Sequence, residues 1–217
     1  MTTARDIARA YLPGQYHYWY ARSKLASDPL YDGVGAALDG CDHPLLDVGC
    51  GIGLLAHTLR ARGFRADYAG VDIDARKIEA ARAAAAKAGL ARVRFDVLDL
   101  AADFPAHRGT VCILDVLQFV PRSTQARIVD ACAACLAPGA RLVIRTGLER
   151  DGWRLRITRA IDRFSERLGW MRGDPPRYPR REALEAQLAQ LGLVARFEPL
   201  RGRTPFENWL VTAERAG

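Results

Sequence analysis

The sequence predicts a single α/β domain built on a doubly wound, mostly parallel sheet with helices on both faces. Three observations lead there. Short apolar runs alternate with helix-forming stretches from Pro44 onward, a glycine turn (Gly49-Cys50-Gly51-Ile52-Gly53) follows the first run directly, and acidic residues end the first two runs at Asp47 and Asp72. Strands that alternate with helices pair in parallel through right-handed crossovers. A chain of 217 residues, 49% of them hydrophobic, fills one core and is small for two.

Each element follows from local signals. The first 40 residues are aromatic and basic and read as helices that precede the sheet, interrupted at Asp28, where Pro29 disfavours helix. The run ending in Asp47 is the first strand; after the glycine turn, Leu54, Leu55, Thr58 and Leu59 stand at helical spacing. Tyr68 to Ile73 is the second strand, and Asp74 caps a helix over Ala75 to Ala88 that Gly89 stops. Val93 to Val97 and Thr110 to Leu114 are the third and fourth strands. Ser123 or Thr124 caps a helix running to Leu136, and Pro138-Gly139 turns the chain into a fifth strand over Arg141 to Ile144. Arg181 to Leu191 is helical, and Leu193 to Pro199 and Asn208 to Glu214 form a hairpin turning around Gly202.

Charge and cysteines narrow the classes. The net charge of +7 is compatible with nucleic acid, anionic lipid or acidic small-molecule partners, and much of it sits in residues 147–181, where ten arginines face five acids. Trp153, Ile157, Ile161, Phe164 and Leu168 give that segment an apolar stripe, with Arg154, Arg156, Arg159, Arg163 and Arg167 around it. It reads as an inserted amphipathic helix followed by a loop at Asp174-Pro175-Pro176. The five cysteines lack the spacing of a disulfide scaffold or a zinc site, and Cys132 and Cys135 fall inside a helical run, so they read as reduced packing residues. The absence of a long apolar run or a secretory leader predicts a soluble, cytoplasmic protein without a transmembrane segment.

The glycine turn carries the chemistry. Glycines between a buried strand and a helix let the backbone approach a ligand, and the helix N-terminus offers free N–H groups. The spacing Gly49-x-Gly51-x-Gly53 puts Leu54 where a dinucleotide fingerprint has its third glycine, which disfavours a dehydrogenase. Asp72, 23 positions after Gly49, stands where a carboxylate takes the hydroxyls of an adenine-linked ribose. Ile73 offers the adenine an apolar surface, and Asp99 can accept from its exocyclic amine.

These pieces, in order, resemble the class I S-adenosylmethionine-dependent methyltransferases. The resemblance rests on Leu46-Asp47-Val48-Gly49-Cys50-Gly51-Ile52-Gly53, Gly70-Val71-Asp72-Ile73-Asp74, Val97-Leu98-Asp99-Leu100, Leu114-Asp115-Val116-Leu117-Gln118 and Leu136-Ala137-Pro138-Gly139 to Ile144. It implies a Rossmann-like seven-stranded sheet with an antiparallel last strand, and S-adenosyl-L-methionine as cofactor. It also implies that the glycine loop lies under the methionine part, Asp47 meets its amino group, Asp72 the ribose, Asp99 and Leu100 the adenine, and Leu114 faces the cofactor. A weaker likeness of Tyr18 to Tyr31 to the leader of small bacterial methyltransferases puts Tyr20 and Lys24 near the cofactor entrance. The organisation expected is an N-terminal helical lid (1–43), a cofactor-binding core (44–146), the Arg-rich insertion (147–181) and a C-terminal helix with β-hairpin (182–217).

The acceptor is less defined. Leu114-Asp115-Val116-Leu117 replaces the Asn/Asp-Pro-Pro-aromatic motif of amine-methylating branches, which disfavours base amines, and Gln118 stands where small-molecule relatives carry histidines or acids. His17 is the candidate general base if the N-terminal segment closes over the site. The leading expectation is in-line methyl transfer to a small-molecule, acyl or aromatic acceptor, carrier-bound or lipid-like, with the insertion as a lid and peripheral membrane contact open. An RNA methyltransferase and a non-enzymatic cofactor-binding protein remain as alternatives.

Overall fold

The computed structural model describes residues 2–100, 102–149, 176–202 and 208–215. The expected insertion helix from Trp153 to Leu168 and its Asp174-Pro175 loop lie outside them.

Seven strands, β1 (Leu45–Val48), β2 (Tyr68–Asp72), β3 (Val93–Val97), β4 (Thr110–Leu114), β5 (Arg141–Gly147), β6 (Leu193–Leu200) and β7 (Asn208–Arg215), form one sheet in the order β3-β2-β1-β4-β5-β7-β6. The first five are mutually parallel, and β7 runs antiparallel to both of its neighbours. Among the described residues, seven α-helices accompany them: α1 (Ala4–Arg9), α2 (Gln15–Ser27), α3 (Leu30–Ala37), α4 (Leu54–Ala61), α5 (Ala75–Lys87), α6 (Arg122–Ala134) and α7 (Arg181–Gln190).

The central strands read as continuous apolar runs because both of their faces are buried. Leu46, Val48, Val111, Ile113, Leu142 and Ile144 point to one face, where Ile128 and Val129 of α6 and Leu184 and Leu188 of α7 cover them. The alternate residues Leu45, Cys112 and Val143 point to the other, with Val34 of α3, Leu55 and Leu59 of α4 and Ile78 of α5. A third cluster, Ile7, Ala8, Tyr11 and Ala21 with Ile52, Leu54 and Ala84, packs the N-terminal helices against the glycine turn. Both cysteines of the Cys132/Cys135 pair are free thiols, Cys132 within the core.

Of the boundaries that differ from the sequence reading, two have a clear local cause. Helix α6 starts at Arg122, so Ser123 and Thr124 lie in its first turn and neither caps it. Pro121, with φ −57° and ψ 151°, is the N-cap, and its carbonyl accepts the Gln125 N–H at 2.8 Å. Strand β5 extends three residues past Ile144, because β7 pairs with it at every position from Arg141↔Glu214 to Gly147↔Asn208. That extension places Arg145 inside the sheet.

Candidate active site

Strand order reverses between β1, followed outward by β2 and β3, and β4, followed by β5. Ligands of open α/β sheets bind in the crevice beyond the carboxyl ends of the strands at this switch. A cavity of about 790 Å³ occupies it, lined from the ends of β1 to β4, the glycine turn, and α2 and α3 of the N-terminal segment.

The three glycines of the turn all have positive φ, 75°, 55° and 78°, but they serve different ends. A Cβ on Gly51 would meet nothing within 4 Å, so this is the position where the missing side chain leaves the cavity open. On Gly49 it would sit 2.2 Å from Val116, and on Gly53 2.7 Å from Phe95. Gly49 thus admits the chain that follows β4, and Gly53, which does not line the cavity, lets α4 close onto β3. The turn is fixed by Gly49 and Cys50 N–H groups donating to the Val71 carbonyl and by the Tyr11 hydroxyl donating to Ile52 O at 2.9 Å. Cys50 packs its sulfur over Gly70 and is buried.

Two carboxylates face the turn. Asp72 accepts from Gly51 N–H through one oxygen and from Asp74 N–H through the other, both at 2.9 Å, which fixes its plane and leaves acceptor capacity toward the cavity. Asp47, 2% exposed, accepts from the Tyr68 hydroxyl, and no cation pairs with it among the described residues. Burial pushes its carboxyl up to about 7 against the lowering effect of the Tyr68 hydrogen bond, with Asp72 adding repulsion. A buried carboxylate in that state favours a cationic ligand, which would return it to the ionised form. The open space at Gly51, the poised Asp72 and the uncompensated Asp47 suit a ligand with a ribose at one end and positive charge at the other.

Across the cavity the wall is different. Asp115 directly follows β4 with φ +60°, a conformation that costs most side chains energy and that aspartate tolerates. Its carboxylate is held by Arg145 and lies 3.7 Å from the Lys24 ammonium; Lys24 is 2.7 Å from Asp28, which is 3.3 Å from Arg145. The four side chains therefore close a ring of alternating charge linking α2 to the ends of β4 and β5. Arg145 and Asp28 are its buried half, and Lys24 and Asp115 face the cavity. Burial opposes the charge of Lys24, but Asp115 and Asp28 outweigh it and raise the ammonium's pKa. Burial likewise opposes ionisation of Asp28, and Arg145 and Lys24 overcome it and hold its carboxyl below the usual range. Beyond the ring, Val116, Phe119, Val120 and Ile128 make an apolar pocket with Thr124.

Of the residues singled out from sequence, Asp47, Gly49, Gly51, Asp72, Ile73, Asp99, Leu100, Leu114, Tyr20 and Lys24 line this one cavity. Gly53 does not, for the packing reason above. His17 is also absent from the lining; its ring stands against Tyr16, 5.4 Å between centroids. Gln118 is buried, and its side-chain oxygen accepts from Thr146. Sequence reasoning missed Asp28, Tyr31, Asp115 and Arg145. Arg145 carried a signal, a cation continuing the apolar run Leu142-Val143-Ile144.

Comparison with known proteins bears on the fold and on the cofactor-binding core. A family model described as a methyltransferase domain matches residues 45–139. The ubiquinone biosynthesis O-methyltransferase of Xylella fastidiosa is 38% identical over 104 residues, covering 47% of this chain and 41% of that protein. Its counterpart in Xanthomonas euvesicatoria is 36% identical over 116 residues, 52% and 46% of the two chains. The matches thus span less than half the length of these relatives. Among solved structures, the magnesium protoporphyrin IX methyltransferase of Synechocystis with bound SAH superposes with a TM-score of 0.71 at 22% identity, over 96% of this chain and 92% of that one. An O-methyltransferase family protein from Burkholderia thailandensis gives 0.72 at 16%, over 100% and 64%. With this sheet order and glycine turn, the chain has the fold of the class I S-adenosylmethionine-dependent methyltransferases, and residues 45–139 match the methyltransferase domain.

Proposed function

We propose that the chain transfers a methyl group from S-adenosylmethionine to an oxygen of a largely apolar small molecule, aromatic or acyl in character. The observation that carries this is the division of the cavity into a polar half, suited to the donor, and an apolar half behind Leu114, walled by Val116, Phe119, Val120 and Ile128. The names of the relatives, O-methyltransferases of a biosynthetic pathway, support oxygen as the acceptor atom.

In this reading Asp72 holds the ribose hydroxyls, Ile73 and Leu100 flank the adenine, and Asp99 accepts from its amine. Asp47 pairs with the ammonium, and Lys24 with Tyr20 closes the carboxylate end. The cofactor supplies an activated methyl on a sulfonium, so alignment supplies much of the rate and a strong base is not required. Leu114 and the glycine turn set the donor's position, and the apolar pocket presents the acceptor oxygen in line with it. Asp115, facing the cavity, is the polar group that can orient its hydroxyl.

Two measurements test the proposal. Calorimetry with S-adenosylmethionine is expected to show one site per chain; no binding would remove the reading. Incubation with a panel of apolar phenols, carboxylic acids and amines, read by mass spectrometry, is expected to show mass gain on oxygen acceptors. Gain confined to amines would refute the acceptor assignment while leaving the donor site intact.

A further inference from the structure

Helix α2 wears its aromatic residues on the outside. Only Ala21 is buried, whereas Tyr16 and Trp19 are 64% and 57% exposed and Tyr20 is 37% exposed. Positions 16, 19 and 20 share one helical face. Tyr16 and Tyr20 stack 6.4 Å apart, and Arg22 lies 5.3 Å over the Trp19 ring. Isolated exposed apolar residues need no explanation, but a run of three rings on one face of one helix marks an interaction surface.

The surroundings are cationic. Residues 2–27 contain Arg5, Arg9, Arg22 and Lys24 against the single acid Asp6, which is engaged by Thr3 as the cap of α1. Arg22 hydrogen-bonds the Tyr18 hydroxyl, and that bond with the positive charges of Arg22, Arg5 and Arg9 lowers the phenol's pKa; Arg9 also pairs with Asp6 at 3.5 Å. Tyr20 continues the aromatic face into the lining of the cavity, where Phe119, 54% exposed, also stands.

We propose that the α1–α2 face bearing Tyr16, Trp19 and Tyr20 docks the chain on an anionic lipid surface. Tyrosine and tryptophan settle at the boundary between headgroups and acyl chains, having an apolar body and a polar tip, and guanidiniums beside them pair with lipid phosphates. A second copy of the chain is the poorer occupant, because apposing two such faces would set Arg5, Arg9 and Arg22 against their own images. Docking here puts the cavity beside the bilayer, where an apolar acceptor enters without crossing water. The inference does not depend on turnover and is tested without it.

The test is sedimentation of the full chain with phosphatidylglycerol-containing vesicles and with pure phosphatidylcholine vesicles. Binding is expected to the anionic vesicles, weakened by salt. Tyr16→Ser/Trp19→Ser is expected to lose about tenfold in apparent affinity, as is Arg5→Gln/Arg9→Gln/Arg22→Gln. Val194→Ser, which removes a 63% exposed apolar side chain on β6, is the control and is expected to bind as the parent does. Circular dichroism and S-adenosylmethionine affinity report that each variant is folded. No vesicle binding by the parent, or equal binding by the folded aromatic variant, overturns the proposal. So does sedimentation velocity showing a dimer that the aromatic variant dissolves, which would give the face to a second copy.

Discussion

At the ends of β1, β2 and β3 the cavity is walled by residues that stand within a few positions of a strand end: Asp47, Gly49, Cys50 and Gly51, Asp72 and Ile73, Leu98 to Leu100. At the ends of β4 and β5 it is backed by a charge ring drawn from Lys24, Asp28, Asp115 and Arg145. The first wall fixes its carboxylates with backbone N–H groups and a tyrosine hydroxyl, so they are held once β1 and β2 pair and the glycine turn closes between them. The second exists only after α2 has docked against the sheet. A donor common to a family suits a wall of the first kind, and an acceptor particular to one member suits the second.

The largest effect that separates the two walls is expected from Arg145→Met. It leaves Asp28 and Asp115 without their buried cation and should cost about 3 kcal/mol of unfolding free energy, read from urea denaturation. A loss below about 1 kcal/mol would mean the ring behaves as a surface ion pair and does not hold α2 to the sheet.

Asp72→Ala should weaken S-adenosylmethionine binding by about 1.5 to 3 kcal/mol in calorimetry, with unfolding midpoints little changed. An unaltered affinity would move the ribose away from the end of β2.

The pH dependence of binding isolates Asp47. Its carboxyl is raised to about 7 in the folded chain, so the free protein is protonated there below pH 7, and a cationic ligand binds the ionised form. Affinity should fall as pH drops below 7, by about fivefold between pH 7 and pH 6, with a proton released on binding in that range. The same shift makes Asp47 oppose folding of the ligand-free chain as pH rises from the unfolded carboxylate value toward 7, because the folded state holds the proton more tightly. Asp47→Asn should flatten both slopes; persistence of the binding slope would assign it to another group.

The smallest effect is expected at Ser123. Because Pro121 caps α6, Ser123→Ala should change stability by less than about 0.5 kcal/mol, whereas a true capping serine costs about 1.

Much of the first wall was legible because its signals are local. A strand end, a glycine triplet and an acid at a fixed distance are written within 30 residues of one another, and they pointed to Asp47, Gly49, Gly51, Asp72 and Ile73, all of which line the cavity. Gly53 was the exception, since spacing does not say whether an absent side chain makes room for a ligand or for Phe95. The cap of α6 was misplaced because Ser123 and Thr124 offer suitable side chains, and only the backbone shows Pro121's carbonyl already taking the first helical bond.

By itself the sequence determined the alternation of strands and helices, the parallel sheet and most of the residues that line the cavity at the ends of β1 to β3, since periodicity, turn chemistry and strand-end acids act over short stretches of chain. Tertiary structure alone decided that Lys24, Asp28, Asp115 and Arg145 meet, that His17 stands outside the cavity, and that α2 keeps its aromatic face exposed. Asp28 and Arg145, 117 positions apart, pair because docking α2 at the ends of β4 and β5 removes both from water, and no short stretch of sequence carries that constraint.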